Sequence, residues 1–342
     1  MKILCYSSFT FNYLNRARVL FQSLRRFHPD WELVALITDE PPKGFAFDPA
    51  AEPFDRLVYA HELDIPDFPA WLFKHDLVEV CTAVKGPYLR KALRESGADA
   101  VIYLDPDTAL FESLSPLLSW LETSDILLTP HLVDANVEPE AILDNDLSAS
   151  RTGIFNLGFV AVRAAGEGLR FADWWADRLL SYCYDDQPLG LFVDQRWCDH
   201  VPALFDRVKV VRDPGYNVAS WNLSRRRVRV GKDGRITVNG EPLRFWHFTK
   251  LGPLGDAMTK RYAGESYAAY EIWSWYKRQV EAASEAAIPS GYWAYGCYRD
   301  GVPIEKSHRV VFRERADLQD AFPDPFLPGP EGLREWLRVH AL

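Results

Sequence analysis

Two carboxylates one residue apart, Asp105 and Asp107, stand directly after the apolar run Val101-Ile102-Tyr103-Leu104. Hard oxygen donors at that spacing suit Mn²⁺ or Mg²⁺, with phosphate and water oxygens completing the shell. The run is rich in β-branched and aromatic residues and reads as a short buried strand. Open α/β sheets gather their ligands at the carboxyl ends of such strands, so the pair points to a diphosphate. Taken alone the pattern is weak, because an acidic chain yields Asp-x-Asp by chance. Asp144 and Asp146 form a second example with no apolar strand before it. The structural alternative makes Asp105 a turn cap and Asp107 a helix N-cap.

Four further segments carry chemistry-bearing residues. Asn156 and Gly158 stand in Phe155-Asn156-Leu157-Gly158, where an amide could both donate to and accept from sugar hydroxyls, or the pair could mark a turn and a strand bulge. Asp194 and Gln195 follow Val193, and Asp194 could equally cap a Trp-bearing helix. His247 lies in Arg244-Phe245-Trp246-His247-Phe248-Thr249-Lys250, and a lone His on an apolar strand is ordinarily a packed core residue. The fourth is the loop after the first apolar run, with Ser7, Ser8, Thr10, Tyr13 and Arg16.

The elements that must position these residues alternate between two periods. Lys2 to Ser7 predicts a strand, followed by a helix with Leu14, Ala17, Leu20, Phe21 and Leu24 at helical spacing. Trp31 to Thr38 and Arg56 to Tyr59 predict further strands. Helical patterns over Leu72 to Val84 and Tyr88 to Glu95 lead through Gly97 into the strand that ends at Asp105. A short helix over Leu114 to Leu121 and a strand over Asp125 to Thr129 come next. Val133 to Arg151 is polar and reads as a mobile loop. A strand at Phe155 to Val162, an amphipathic helix at Leu169 to Tyr184, and strands at Val208 to Val211 and Leu243 to Phe248 complete the alternation, which predicts a mostly parallel sheet. Lys232-Asp233-Gly234 predicts a hairpin turn. From Ala257 the chain turns to aromatic helix and then to Pro-rich segments.

With 342 residues, 48% of them hydrophobic, the chain can bury a large core. Its net charge of -9 argues against nucleic acid as a partner, since that surface needs clustered Lys and Arg. Arg225, Arg226, Arg227 and Arg229, alternating with Val228 and Val230, read as a solvated strand face. Five scattered cysteines without Cys-x-x-Cys spacing suggest neither a disulfide framework nor a zinc site and fit a reducing cytosol. No stretch is long and apolar enough to predict a membrane span, although peripheral attachment at the inner face of a membrane is left open.

The order of first strand, Tyr13 loop, helix, Tyr103-Leu104-Asp105-Pro106-Asp107, Phe155-Asn156-Leu157-Gly158-Phe159, Val193-Asp194-Gln195 and Trp246-His247-Phe248 resembles the GT-A glycosyltransferases. The likeness is to the bacterial branch similar to family 8 and glycogenin, over roughly the first two-thirds of the chain. It implies a Rossmann-like, mostly parallel α/β sheet flanked by helices in residues 1–255, and an aromatic-rich helical, Pro-rich carboxyl-terminal extension in 256–342. It also implies a transferase that moves a sugar from a nucleoside-diphosphate sugar, with a uridine donor favoured, to a glycan, lipid-linked or protein acceptor. Retention of configuration and a place in cell-envelope polysaccharide synthesis go with the resemblance.

By the same resemblance Asp105, Asp107 and His247 hold Mn²⁺ or Mg²⁺. Asn156 meets the donor sugar, which Gly158 lets the backbone approach. Asp194 and Gln195 lie beside the reacting carbon, Tyr13 stacks on the base, and Ser7, Ser8 and Thr10 supply polar groups nearby. Arg16 and Lys85 contact phosphates, with Lys91 as the alternative to Lys85 because the spacing to Asp105 is about one helical turn longer than in glycogenin. Lys250 arrives early for its family role, and Lys260 competes for it. Tyr and Trp residues between Tyr267 and Tyr276 are candidates for an acceptor wall. A sugar-phosphate nucleotidyltransferase would need a Gly-rich loop, and Ser7 to Tyr13 contains no Gly. A non-catalytic carbohydrate- or nucleotide-binding protein on a degenerate transferase fold would be expected to have lost the acidic pair or the Asp-Gln step, and this chain has both.

Overall fold

A computed structural model describes residues 1–340. The first strand, β1 (Ile3–Phe9), is buried along its whole length. It leads into α1 (Leu14–Phe27), whose apolar residues at helical spacing are the ones it buries. β2 (Glu32–Ile37), β3 (Arg56–Tyr59), β4 (Ala100–Leu104), the short β5 (Thr108–Leu110), β6 (Ile126–Pro130), β7 (Phe155–Arg163) and β8 (Val208–Val210) follow. Seven of these form one sheet in the order β8-β6-β7-β4-β1-β2-β3. Neighbours run parallel except at β7, which is antiparallel to both β4 and β6.

The sheet is covered on both faces, as the near-continuous apolar character of its strands requires. Successive residues of β1 and β4 alternate between two cores. Leu4, Tyr6, Val101 and Tyr103 pack on one side, while Ile3, Cys5, Ile102 and Leu104 face α1 on the other. On the first side lie α2 (Leu77–Ala83), α3 (Lys85–Glu95) and α5 (Gly166–Tyr182), with α4 (Leu147–Thr152) between β6 and β7. α3 and α5 touch backbone to backbone: a Cβ at Gly86 would lie 2.8 Å from the Ala176 Cα. That close approach fixes the depth of Lys85, the preceding residue.

A second, smaller pairing brings distant residues to the end of β4. β9 (Val228–Val230) and β10 (Ile236–Val238) form the expected hairpin, with Gly234 in the left-handed region at φ 80°. β11 (Phe245–His247) then pairs antiparallel with β5, setting His247 opposite Thr108. Beyond it, α6 (Tyr267–Ala282) buries Ile272, Trp273 and Tyr276 against β11, with Tyr276 stacked on Phe248 at 3.7 Å. Phe312, Leu318, Phe326 and Leu333 join the same core as Phe73. The buried Arg309 guanidinium donates to the carbonyls of Phe73, His75 and Tyr295. Among the described residues no helix is long and apolar enough to cross a membrane.

Four expectations are corrected. Val133 to Arg151 is largely helical, from Pro139–Ala141 through a π turn at Ile142–Asp146 into α4. Pro139 starts the run at a position where its missing N–H is harmless. The second acidic pair serves this segment: Asp144 pairs with Arg261 and Tyr262, and Asp146 accepts from Asn136. Leu72 to Val84 breaks at Lys74–Asp76, where Asp76 and Glu79 form a capping box that opens α2. Arg226 is buried, donating to the Tyr216 carbonyl at 2.6 Å, so the arginine run is not simply a solvated face. Finally, Trp273 and Tyr276 are core residues, which removes the two from an acceptor wall, while Tyr267 is 82% exposed.

Candidate active site

The carboxyl end of β4 turns at Asp105-Pro106-Asp107, and the Asp105 carbonyl accepts from the Thr108 N–H and hydroxyl. That turn presents both acidic side chains on one side. The β5/β11 register lays His247 beside them, its Nε2 3.1 Å from Asp107 Oδ1 and 3.6 Å from Asp105 Oδ2. One ligand atom from each of the three lies within 4.8 Å of the others. Two carboxylates and an imidazole are a donor set that suits a divalent cation such as Mn²⁺. Asp105 divides its oxygens: Oδ1 accepts from the Tyr103 hydroxyl at 2.6 Å and from Lys85 at 3.1 Å, which leaves Oδ2 facing His247.

The charges answer one another. Burial alone would raise the Asp107 carboxyl, but the adjacent His247 brings it below its ordinary value. Burial would likewise lower His247, and Asp107 lifts it above the ordinary imidazole range. On the other side of Asp105, the Lys85 ammonium reaches Asp194 Oδ2 at 2.8 Å, off the direction of a good hydrogen bond, and the Leu157 carbonyl at 3.1 Å. Burial opposes the charge on Lys85, but Asp105 and Asp194 together hold it well above its ordinary pKa. Asp194 shares that one cation with Asp105, and burial raises its carboxyl despite the contact. Lys85 also sits 4.2 Å over the Tyr103 ring.

Asp194 caps no helix: its side chain makes no hydrogen bond to the short Gln195–Cys198 helix that follows. Val193 before it holds φ at 40°, a left-handed conformation that is costly for a β-branched residue. Gln195 donates its amide to the Thr152 carbonyl at 2.8 Å, tying the Asp194 turn to the end of α4.

Asn156 and Gly158 serve His247. Asn156 Oδ1 accepts the Gly158 N–H at 3.1 Å and stands 3.2 Å from His247 Nδ1, while its Nδ2 faces His131 Nε2 at 3.3 Å. A Cβ at Gly158 would lie 2.5 Å from the His247 ring, so the glycine is required by the imidazole. Both residues thus place the imidazole ring. Asn156 has both amide atoms engaged within the protein.

A cleft of about 160 Å³ runs from the acidic pair toward the β1–α1 loop. Ser8, Thr10, Tyr13, Lys85, Asp105 and Asp107 line it, together with Tyr103 and the α2 residues Leu77 and Val78. Ser8 donates to the Cys81 carbonyl and meets the Tyr103 hydroxyl at 3.1 Å. Ser7 is fully buried, on the opposite face of β1 from Ser8. Arg16 covers one face of the Tyr13 ring at 3.9 Å.

The competing lysines separate. Lys91 pairs with Glu95 and Asp64 in a different groove on α3, so Lys85 is the lysine of this site. Lys250 and Lys260 are both exposed, with Lys250 on a left-handed turn after β11 at φ 55°. Neither joins the acidic cluster. Sequence reasoning missed Tyr103, whose place one turn of strand before Asp105 was visible, and His131, Thr129 and Asn217, for which no local pattern existed.

Comparison with known proteins bears on this arrangement. No family model matches the chain. It is similar to two uncharacterized proteins of Bacillus subtilis (strain 168). YfnF is 30% identical over 177 residues, 51% of this chain and 57% of that protein. YfnD is 26% identical over 235 residues, 67% of this chain and 72% of that protein. The chain thus spans little more than half the length of YfnF. Among solved structures it is similar to the galactosyltransferase LgtC in complex with donor and acceptor sugar analogues, at 14% identity, covering 83% of this chain and 97% of that one with a TM-score of 0.47. It is also similar to mouse xyloside xylosyltransferase 1 in its apo form, at 14% identity, covering 74% and 98% with a TM-score of 0.40.

Proposed function

We propose that this protein is a metal-dependent glycosyltransferase that moves a sugar from a nucleoside-diphosphate sugar to an acceptor hydroxyl. The observation that carries the reading is the convergence of Asp105, Asp107 and His247, one ligand atom each within 4.8 Å, beside a buried Lys85–Asp194 pair and at one end of an open cleft. Resemblance of the motif order to GT-A enzymes supports the same conclusion. The three ligands would hold Mn²⁺ or Mg²⁺, which supplies charge neutralisation on the leaving diphosphate.

This chain's own residues have separable tasks. Tyr13 offers a ring face to the base, and Ser8 and Thr10 supply polar groups along the cleft. Asp194, held by Lys85 and kept from water, lies ready to steady positive charge developing on the sugar. Gln195 anchors the Asp194 turn. A retaining outcome suits a site in which the leaving phosphate draws the acceptor proton on the same face of the sugar. A uridine-diphosphate sugar is the first donor to test, and a glycan, lipid-linked or protein acceptor of a cell-envelope polysaccharide pathway completes the reaction. A cytosolic site of action, with peripheral attachment at the inner membrane face for a lipid-linked acceptor, goes with five unpaired cysteines.

The test is release of nucleoside diphosphate from a panel of nucleotide sugars with Mn²⁺, followed by chromatography or phosphate-coupled detection. Slow hydrolysis of one donor, reduced at least tenfold in Asp194→Asn without loss of nucleotide binding, is the expected result. Nucleotide binding with no turnover of any donor would instead favour the non-catalytic binding protein.

A further inference from the structure

We propose that Asn217 is a positioning residue that fixes the proton of His247 on Nδ1, so that Nε2 faces the carboxylates as a metal-ligating lone pair. The inference rests on the metal-dependent reading above. Asn217 Oδ1 lies 3.3 Å from His247 Nδ1, beside Asn156 Oδ1 at 3.2 Å. Two amide oxygens at one ring nitrogen require that nitrogen to carry the proton. Neither amide can turn its NH₂ toward the ring without loss. Asn217 Nδ2 donates to Thr129 Oγ1 and to Asn156 Oδ1, both at 2.9 Å, and Asn156 Oδ1 also receives the Gly158 N–H.

The backbone delivers Asn217 to this spot by a turn that its sequence permits. The Asp213-Pro214-Gly215-Tyr216 turn packs so closely on Pro242 that a Cβ at Gly215 would lie 2.0 Å from the Pro242 carbonyl oxygen. Asn217 then takes φ 51°, in the left-handed region that Asn tolerates better than most residues. Val218 bridges to Trp246, and the His247 N–H donates to the Val218 carbonyl at 2.7 Å. The bend that carries the amide is therefore bridged directly to the strand that carries the ring. Asn217 is 1% exposed, so its bonds are not exchanged with water. Outer partners of this kind typically change metal affinity by about 10–100-fold.

Direct calorimetric titration of the full chain with Mn²⁺ alone tests the proposal, using Asn217→Gly and Asn217→Asp. Gly removes the amide without backbone strain at positive φ. Asp keeps an oxygen acceptor at the same atom. Wild type binding Mn²⁺, Asn217→Gly weaker by about 10–100-fold, and Asn217→Asp recovering most of the loss would support it. In metal-free protein labelled with ¹⁵N-histidine, at a pH where the imidazole is neutral, His247 should appear as the single Nδ1–H tautomer, and as a mixture in Asn217→Gly. Folded Asn217→Gly with wild-type Mn²⁺ affinity and an unchanged tautomer overturns the assignment while leaving the metal site intact. Equal losses in Gly and Asp, with His247 still a single Nδ1–H tautomer in both, overturn it too, because the side chain then serves packing rather than acceptance. Wild-type protein that does not bind Mn²⁺ overturns both this inference and the metal-dependent reading.

Discussion

Adding one methyl group at Gly158 puts it where the His247 ring already is. The new Cβ would lie 2.5 Å from Cε1 and 2.6 Å from Nδ1 of the imidazole, and 2.8 Å from Asn156 Oδ1. Ordinary contact begins at 3.4 Å, so the ring must retreat by about 0.9 Å. Neither side can yield cheaply. The Gly158 carbonyl is bonded to the Asp105 N–H at 2.9 Å, and His247 is fixed by the β5/β11 register. Overpacking of this size costs about 1–3 kcal/mol. More tellingly, metal bonds hold within about 0.2 Å, so a displaced Nε2 leaves the shell although all three ligands remain in the sequence. Gly158→Ala should therefore lower Mn²⁺ affinity by at least about tenfold, read by calorimetry, in a protein whose metal-free circular dichroism is unchanged. A folded Ala variant that binds Mn²⁺ as tightly as wild type would refute the reasoning.

Two further perturbations follow from the buried charges. Lys85→Ala leaves Asp194 without its cation and should cost about 3–5 kcal/mol in urea unfolding. That loss should shrink as pH falls, because the unpaired carboxyl can then take up a proton, and Lys85→Met with Asp194→Leu should restore most of it; no recovery in the pair would show that packing, not charge, is at stake. Asp39 accepts N–H groups from Phe11, Glu40 and Ala294, yet burial raises its carboxyl from the ordinary 3.8 to about 7. A raised folded pKa means its stabilising contribution is complete below the ordinary value and is lost as pH climbs through about 7. Asp39→Asn should thus gain on wild type by up to about 1.4 kcal/mol per pH unit over that window, and parallel pH profiles for the two proteins would contradict it.

The parts legible in the sequence were those written as contiguous patterns. β4 is an unbroken apolar run and β1 and β7 are mostly apolar, and the acidic pair announces itself by ending β4. His247 was ambiguous by itself, since only the β5/β11 pairing separates a ligand from a core histidine, and that pairing joins residues far apart in the chain. Asn217 gave no signal because its importance lies wholly in what it meets: a left-handed Asn after Pro-Gly-Tyr looks like any turn. The segment from Val133 to Arg151 failed for the opposite reason. Its short helices have too few buried apolar residues to show a period, and they are held by ion pairs such as Asp144–Arg261 that no local window contains. The close approach of the His247 ring to Gly158 was likewise not legible, because it is made by a residue far along the chain.

Thermal unfolding of the whole chain with each nucleoside diphosphate, with and without Mn²⁺, bears most directly on the central claim. A ligand at about a hundred times its dissociation constant adds roughly 2.7 kcal/mol, enough to raise the midpoint by a few degrees. One nucleoside diphosphate should give that rise only when Mn²⁺ is present, and Asp107→Ala should abolish it. An equal rise without Mn²⁺, or a rise that survives in Asp107→Ala, would contradict the metal-bridged donor site; so would no rise with any nucleotide in protein shown to be folded.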